Sequence, residues 1–412
     1  MESDDLAVGM IPVPPLRHET LQWVPRHPQM YSKAEVERQT GEYAAALTPA
    51  LAQWVPRLGG ETMADVEEAA LALREFDLHS LTLFGSADPT LAPMSAILLR
   101  TESASSSQIE QLTTSAKQLA LAELDEGRKH NALTVVGNVR AMEAAIRLSA
   151  TLDEPSILAM HYELLSRQPG VEHEAGRYRE ELVWIGNRDN AGPRGATFIA
   201  PQHRQVAAAV SDVVHFMRRV DVPALVQVAV AHAQFETIHP FVDGNGRTGR
   251  AIAQAMLRNK GLTTHTTVPL SAGLLVDTES YFSALTAYRA GDAGPIVRRF
   301  ADAARYAAVT GRELVDSLAA ELQRSREALS GIRSDSAAWR VLPRLIGQPV
   351  VNARYLVEAL ALTDATVVRA LDVLVDRGVI VERTGFSRNR VWEHPGILGV
   401  LDSYAARIRR GV

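Results

Sequence analysis

One twelve-residue stretch, His239 to Arg250, reads HPFVDGNGRTGR and gathers an imidazole, a carboxylate, two glycines around an asparagine, and two arginines three positions apart. An unperturbed imidazole titrates at about 6.5, so His239 suits the removal of a proton from an attacking hydroxyl at neutral pH. Gly244 and Gly246 let a backbone approach an anion closely, and Asn245 adds a side-chain donor. Arg247 and Arg250 would leave one face of a helix together and reach a chain of phosphates. Asp243 is a hard oxygen ligand of the kind that Mg²⁺ takes beside nucleotide phosphates. Such a set supplies positioning and charge neutralisation, most of what phosphoryl or nucleotidyl transfer requires of a protein.

These residues need elements to hold them. Upstream, DVPALVQVAVAHAQFETI (Asp221 to Ile238) carries Leu225, Val228, His232 and Phe235 on one stripe, which predicts a buried helix ending at His239. Downstream, GRTGRAIAQAMLRNKG predicts a second helix with Ile252, Met256 and Leu257 inward and Gly261 as its stop. A glycine-rich loop between two helices places an anion at a helix N-terminus, where backbone N–H groups are unpaired and the dipole is positive. Taken singly, each residue has a plainer reading: turn glycines, a solvated arginine face, a capping Asp243. The combination at this spacing favours the anion site. His232 and His239 share a side of their helix, but no third ligand is evident for a metal, and His232 reads as a core residue. Tyr281, Phe282 and Tyr288 are either core or the wall of a base pocket.

Around this centre the chain of 412 residues is an ordinary soluble composition, 46% hydrophobic and 22% charged, long enough for two or three domains. It has no cysteine, which excludes disulfides, thiolate catalysis and Cys-based metal sites. No run of about 18 apolar residues offers a membrane span, and MESDDLAVGM lacks a secretory pattern, so the expected location is cytoplasmic, with no membrane partner. The net charge of −5 restricts any nucleic-acid contact to a local surface. Residues 1–31, rich in proline and without period, read as an extended arm. From Ser32 to Leu165 apolar residues recur at helical spacing, as in Ala64 to Phe76 and Leu133 to Leu148. Two β-prone runs, Val183 to Ile185 and Thr197 to Ile199, flank a turn-rich stretch and predict a hairpin or flap.

The stretch at His239 resembles the signature of the Fic family, HPF-x-[DE]-GNGR-x-x-R, at all nine of its specified positions. The likeness extends through GRYR, AHAQFETIHPF and VPLSAGLL to AYRAGDAGPIVRRF, roughly residues 155–306, with related helices upstream. The resemblance implies a mainly α fold, a Fic-type helical core with a β-hairpin flap. It implies transfer of AMP from ATP to a hydroxyl side chain of a protein, this protein itself included, with release of pyrophosphate. His239 would then be the general base and Asp243 the Mg²⁺ ligand. Asn245 and the N–H groups of Gly244 and Gly246 would hold the α-phosphate, Arg247 and Arg250 the distal phosphates, and Phe241 would anchor the loop. Related Doc kinases carry Lys where this chain has Gly246. The flap, near Gly186 to Phe198, would align the target peptide by strand addition.

Two further regions bear on control. SSSQIEQL, at Ser105 to Leu112, resembles the family's inhibitory helix motif [ST]-x-x-x-E-[GN], with Ser106 and Glu110 in the key places and a departure at Gln111. The resemblance implies that Glu110 pairs with Arg250 and blocks the productive pose of ATP. After a helical stretch, residues 307–333, the segment 334–412 predicts three helices and two β-prone runs in the order of a winged helix-turn-helix. It carries eleven arginines against eight acidic residues, with Arg369, Arg388 and Arg390 as natural phosphate contacts. That module is either a DNA-binding element or a protein-docking or dimerising domain. The two functions in competition are thus an autoinhibited, Mg²⁺-dependent AMP-transferase, a homodimer included, and a DNA-binding regulator whose helical core senses nucleotide.

Overall fold

The computed structural model describes residues 9–84, 88–186, 191–383 and 390–410. Its opening elements are β1 (Arg17–Trp23), α1 (Lys33–Gln39) and β2 (Gly41–Leu47). Helices α2 (Gly60–Phe84), α3 (Leu91–Ile109), α4 (Ala116–Glu123), α5 (His130–Leu148) and α6 (Glu154–Leu165) follow. Next come β3 (Trp184–Ile185), β4 (Phe198–Ile199), α7 (His203–Arg218), α8 (Ala224–Ile238) and α9 (Asn245–Asn259). Helices α10 (Leu270–Val276), α11 (Thr278–Arg289) and α12 (Gly294–Ala328) lead to α13 (Ala338–Gly347), β5 (Val350–Asn352) and α14 (Ala353–Leu360). The chain closes with α15 (Asp364–Asp376), β6 (Val381–Glu382), β7 (Val391–Glu393) and α16 (Pro395–Arg410). The fold is mainly helical.

Contacts divide the chain into two compact units that interleave in sequence. The first gathers Met1–Glu67, Ala144–Lys260 and Glu279–Ala301; the second gathers Glu68–Glu143, Gly261–Thr278 and Asp302–Val412. No described helix is long and apolar enough to cross a membrane.

In the first unit, α8 is buried from Leu225 to Ile238 without an exposed face, because α7 and α9 pack against it. A helix that is apolar nearly all round finds its partners inside a core. The extended arm is laid down by backbone pairing: Val13 N–H donates to the Gly291 carbonyl (3.0 Å) and Ala293 N–H to the Ile11 carbonyl (2.9 Å). It then continues as β1, antiparallel to β2, with Arg17 opposite Leu47 and Trp23 opposite Gly41.

β2 corrects the expectation of continuous helical character from Ser32 to Leu165. GEYAAAL carries three alanines, which favour helix by local propensity, yet Tyr43 and Ala45 alternate inward against Leu182, Trp184 and Ile199, and tertiary packing overrides propensity. The same hairpin braces the flap formed by β3 and β4, in which Trp184 pairs with Ile199 and Ile185 with Phe198. The Gln39 amide accepts from Arg194 N–H (2.8 Å) and donates to the Arg194 carbonyl (3.0 Å), so one side chain stands in for a β-bridge. Trp23 Nε1 donates to the Ala191 carbonyl at 2.9 Å. The flap's expected turn includes residues 187–190, which lie outside the described residues.

In the second unit, α3 packs against α10 and α13. Asp77, on α2, accepts from the N–H groups of Thr264, His265 and Thr266 at 2.8–2.9 Å, which ties down the stretch before α10. Strands β5, β7 and β6 form a three-stranded antiparallel sheet in that order.

Candidate active site

Helix α8 ends because His239 adopts a left-handed conformation, φ 51 and ψ 60, while its N–H still donates to Phe235 (2.9 Å). A left-handed non-glycine residue costs on the order of 1 kcal/mol or more and persists where its surroundings over-determine it. Arg179, 2% exposed, supplies that determination. Its Nε donates to the His239 carbonyl (2.8 Å), one of its terminal nitrogens to the Pro201 carbonyl (2.6 Å), and its own N–H to the Pro240 carbonyl (3.0 Å).

The conformation turns the His239 imidazole so that Nδ1 faces the Glu236 carbonyl at 3.4 Å. A carbonyl only accepts, so Nδ1 carries the proton and Nε2 presents a lone pair. Burial holds the imidazole down at about 4; the charges of Arg179 and Arg289 act in the same direction, against the Glu236 carbonyl and the Asp243 carboxylate. At neutral pH the imidazole is therefore unprotonated.

The loop after His239 closes on itself. Phe241 is fully buried and stacks on the His161 ring at 3.6 Å with an interplanar angle of 5°. The Asn245 amide accepts from Phe241 N–H and donates to the Phe241 carbonyl, both at 2.9 Å. Its side chain is thus engaged in shaping the loop, where the sequence suggested a donor to an anion. Gly244 sits at φ 79, a backbone that favours glycine, and a Cβ there would lie 2.7 Å from Leu164 Cδ2 and force that side chain to shift. Its N–H donates to Asp243 Oδ1 at 2.7 Å. Helix α9 begins at Asn245, and Thr248 N–H to the Gly244 carbonyl (2.9 Å) is the first rung of its ladder. The amides at Asn245, half-buried Gly246 and Arg247 accordingly have no carbonyl within the helix to reach.

Charge surrounds this N-terminus. Arg247 is 2% exposed and grips both Asp243 carboxylate oxygens at 3.1–3.2 Å. Arg250 is 3% exposed, and its charge joins burial in pulling the His232 imidazole down to about 3. A single half-exposed carboxylate, here paired with Arg247, is a kind of ligand that Mg²⁺ accepts, since the ion usually keeps several waters. Among the described residues no cluster of three or more His, Asp or Glu gathers as a metal site.

His232 is held by Tyr281, whose hydroxyl meets Nε2 at 2.7 Å, as expected of a core histidine. Tyr288 gives its hydroxyl to Gln234 at 2.8 Å, so both tyrosines belong to the core, whereas Phe282 is exposed. Two residues that shape the site were missed in the sequence. Arg179 lies in GRYR, a stretch carried by the resemblance and assigned no role. His161 gave no local signal; its Nδ1 accepts from Gly176 N–H (3.1 Å) and its Nε2 meets the Asp243 carbonyl at 3.0 Å.

Ser106 and Glu110 belong to the second unit. Ser106 is fully buried on α3, and Glu110 caps that helix at φ −94 and ψ 21. Gln111 follows in the left-handed region at φ 66, a conformation that glycine and asparagine adopt at the least cost. In the C-terminal segment, Arg369 is exposed on α15 and bonds its own Ala365 carbonyl (3.1 Å). Arg390 pairs with Glu382 (2.7 Å) and lies over the Trp392 ring (4.7 Å). Asp364, Asp372 and Asp376 are exposed on α15 as well. Arg388 lies outside the described residues.

A buried helix, a glycine-rich loop and a second helix that buries two arginines in its first two turns thus stand together in the first unit. Residues 151–257 match the Fic/DOC family, and the chain carries a Fic/DOC family domain. Protein adenylyltransferase fic-1 of Caenorhabditis elegans is 31% identical over 184 residues, 42% of this chain and 31% of that protein. Protein adenylyltransferase Fic of Drosophila melanogaster is 28% identical over 147 residues, 35% of this chain and 27% of that protein. The match thus spans about a third or less of these relatives' length. A Fic family protein from Desulfovibrio desulfuricans aligns over 84% of this chain and 98% of its own, with a TM-score of 0.50 at 22% identity, a likeness of fold.

Proposed function

We propose that this protein transfers AMP from ATP to a hydroxyl-bearing side chain of a protein. The observation that carries the reading is His239: a neutral imidazole with Nε2 free to accept, fixed one loop away from a helix N-terminus that favours phosphate. The names of the relatives support adenylyl transfer and hence ATP as substrate. Anion sensing alone would need the loop and the arginines but no base.

In this reading a target hydroxyl attacks the α-phosphorus, its proton passes to His239 Nε2, and the bond to pyrophosphate breaks. The first-turn amides of α9 hold the α-phosphate while Arg247 and Arg250 take the distal phosphates. Asn245 acts by keeping the loop closed. Asp243 would hold Mg²⁺, which neutralises phosphate charge when bound. Arg247 then exchanges its carboxylate partner for phosphate oxygens. The braced flap aligns the target segment by strand addition.

Regulation follows from the motif at α3. Glu110 is the inhibitory residue that excludes the productive pose of ATP; a charge-assisted bond of about 1.5–3 kcal/mol would shift the population roughly 10- to 150-fold. For residues 334–412 we assign a winged helix-turn-helix that docks protein, a second copy included, over one that binds duplex. The three aspartates on the exposed side of α15 oppose a phosphate backbone, and Arg390 is already paired.

Mass spectrometry of Glu110→Gly protein incubated with ATP and Mg²⁺, beside wild type and Glu110→Gly/His239→Ala, tests the reading. An AMP adduct confined to the single mutant is expected. Equal adduct on wild type would overturn the inhibition, and undiminished adduct on the double mutant would overturn the base.

A further inference from the structure

A single buried group ties the flap to the imidazole. The flap leaves the body of the first unit near Glu181 and returns at Pro201, on either side of β3 and β4. Arg179 Nη1 donates to the Glu181 carbonyl (2.6 Å) and Nη2 to the Pro201 carbonyl (2.6 Å), so one guanidinium clasps both ends of the flap. Its Nε donates to the His239 carbonyl (2.8 Å), and Nη2 also approaches the Ile238 carbonyl (3.5 Å). Every acceptor is a backbone carbonyl, whose place follows the path of the main chain.

A neutral side chain could serve one or two of these carbonyls, whereas a guanidinium carries five donors in a rigid planar fork. The charge comes at a cost. Arg179 is 2% exposed, burial lowers it to about 10 against the charge of Glu181, and no carboxylate forms an ion pair with it among the described residues. Buried charges are ordinarily paired, so a cation kept in a ring of carbonyls points to the geometry it imposes. None of its hydrogen bonds goes to α9, whose first turn and arginines face phosphate in the proposed reaction.

We propose that Arg179 is a positioning residue for the target and not for ATP. By fixing both ends of the flap and the His239 carbonyl to one planar group, it sets where a strand added to the flap presents its hydroxyl relative to His239 Nε2. The inference rests on the reading of this protein as an AMP-transferase with a target-aligning flap.

The test introduces Arg179→Gln and Arg179→Lys into the whole Glu110→Gly protein. Mass spectrometry of AMP adducts on the protein itself, over a range of ATP with Mg²⁺, gives kcat and KM for ATP. Hydrogen exchange at Thr197 and Ala200, whose N–H groups donate to the Ile185 (2.8 Å) and Val183 (3.1 Å) carbonyls, reads the flap without any reaction. Arg179→Gln should lower kcat about 100-fold and leave KM for ATP unchanged, since a misplacement of about 1 Å has that effect on a reacting centre. Exchange at both amides should quicken about 10-fold or more with the loss of charge-assisted bonds. Arg179→Lys keeps the charge and three donors without the fork, so it should recover part of both losses, and it keeps the test open should the neutral variant not fold. A rise in KM for ATP that matches the fall in kcat would mark a general collapse of the site and overturn the proposal. An active Glu110→Gly parent beside variants with the parent's kcat and exchange would overturn the proposal alone, whereas a parent that forms no adduct would bring down the transfer reading and the proposal with it.

Discussion

The loop of residues 239–250 and the β-sheet segment of residues 350–393 use the same residue types to opposite effect. In the loop, Arg247 and Arg250 are almost wholly buried at a helix N-terminus, and Gly244 lies against Leu164. In the C-terminal segment, Arg369 is exposed, Arg390 is paired with Glu382, and Gly378 at φ 70 has nothing near the place of a Cβ. A guanidinium removed from water keeps its electrostatic reach, whereas the same group on a solvated, acid-dotted surface is screened. Burial, more than the count of charges, separates the two regions.

The glycines offer the sharpest way to break this comparison. Gly244→Ala should cut AMP transfer by about 100-fold or more, since a misplacement of about 1 Å at a reacting centre has that effect. Gly378→Ala, with the same left-handed backbone but open space, should leave transfer unchanged and cost on the order of 1 kcal/mol. Paired turnover assays and thermal melts decide; equal losses of activity in the two variants would remove the distinction.

pH offers a second test. With His239 held at about 4, the acid limb of transfer should fall well below the value near 6.5 of an ordinary histidine, and a limb near 6.5 would contradict the burial argument. Stability has the same origin. His161, His232 and His239 are lowered to about 4, 3 and 4, so between those values and 6.5 the unfolded chain binds more protons. Stability is therefore full above about pH 6.5 and falls as pH drops, by up to about 1.4 kcal/mol per unit for each imidazole. Denaturant titration at several pH values reads this slope.

The smallest effect belongs to the surface arginine. Arg390→Ala should change stability by less than about 1 kcal/mol, the usual range of a partly exposed pair, and leave transfer untouched. A larger loss in chemical denaturation would show that the Trp392 stacking is a structural anchor.

Much of the site was legible because its signals are local. Helix, loop and helix follow from the stripe Leu225, Val228, His232, Phe235 and from the glycines that interrupt it. β2 was not legible, because an alanine-rich run says helix until β1 pairs with it. Nor was the part of Asn245: a donor type is visible in the sequence, but its engagement with Phe241 is a matter of loop closure.

By itself, then, the sequence determined the identity and spacing of the imidazole, the carboxylate, the glycines and the arginines, since these lie within twelve residues and obey helix and turn geometry. Tertiary structure alone decided the state of those groups. Burial keeps the His239 imidazole neutral, with Arg179 and Arg289, distant in sequence, adding to it, and Arg179 also holds its conformation. His161 seats Phe241, and a hairpin at the start of the chain steadies the flap. The physical reason is that protonation, strain and desolvation depend on what surrounds a group in space, and only the folded chain brings that surrounding together.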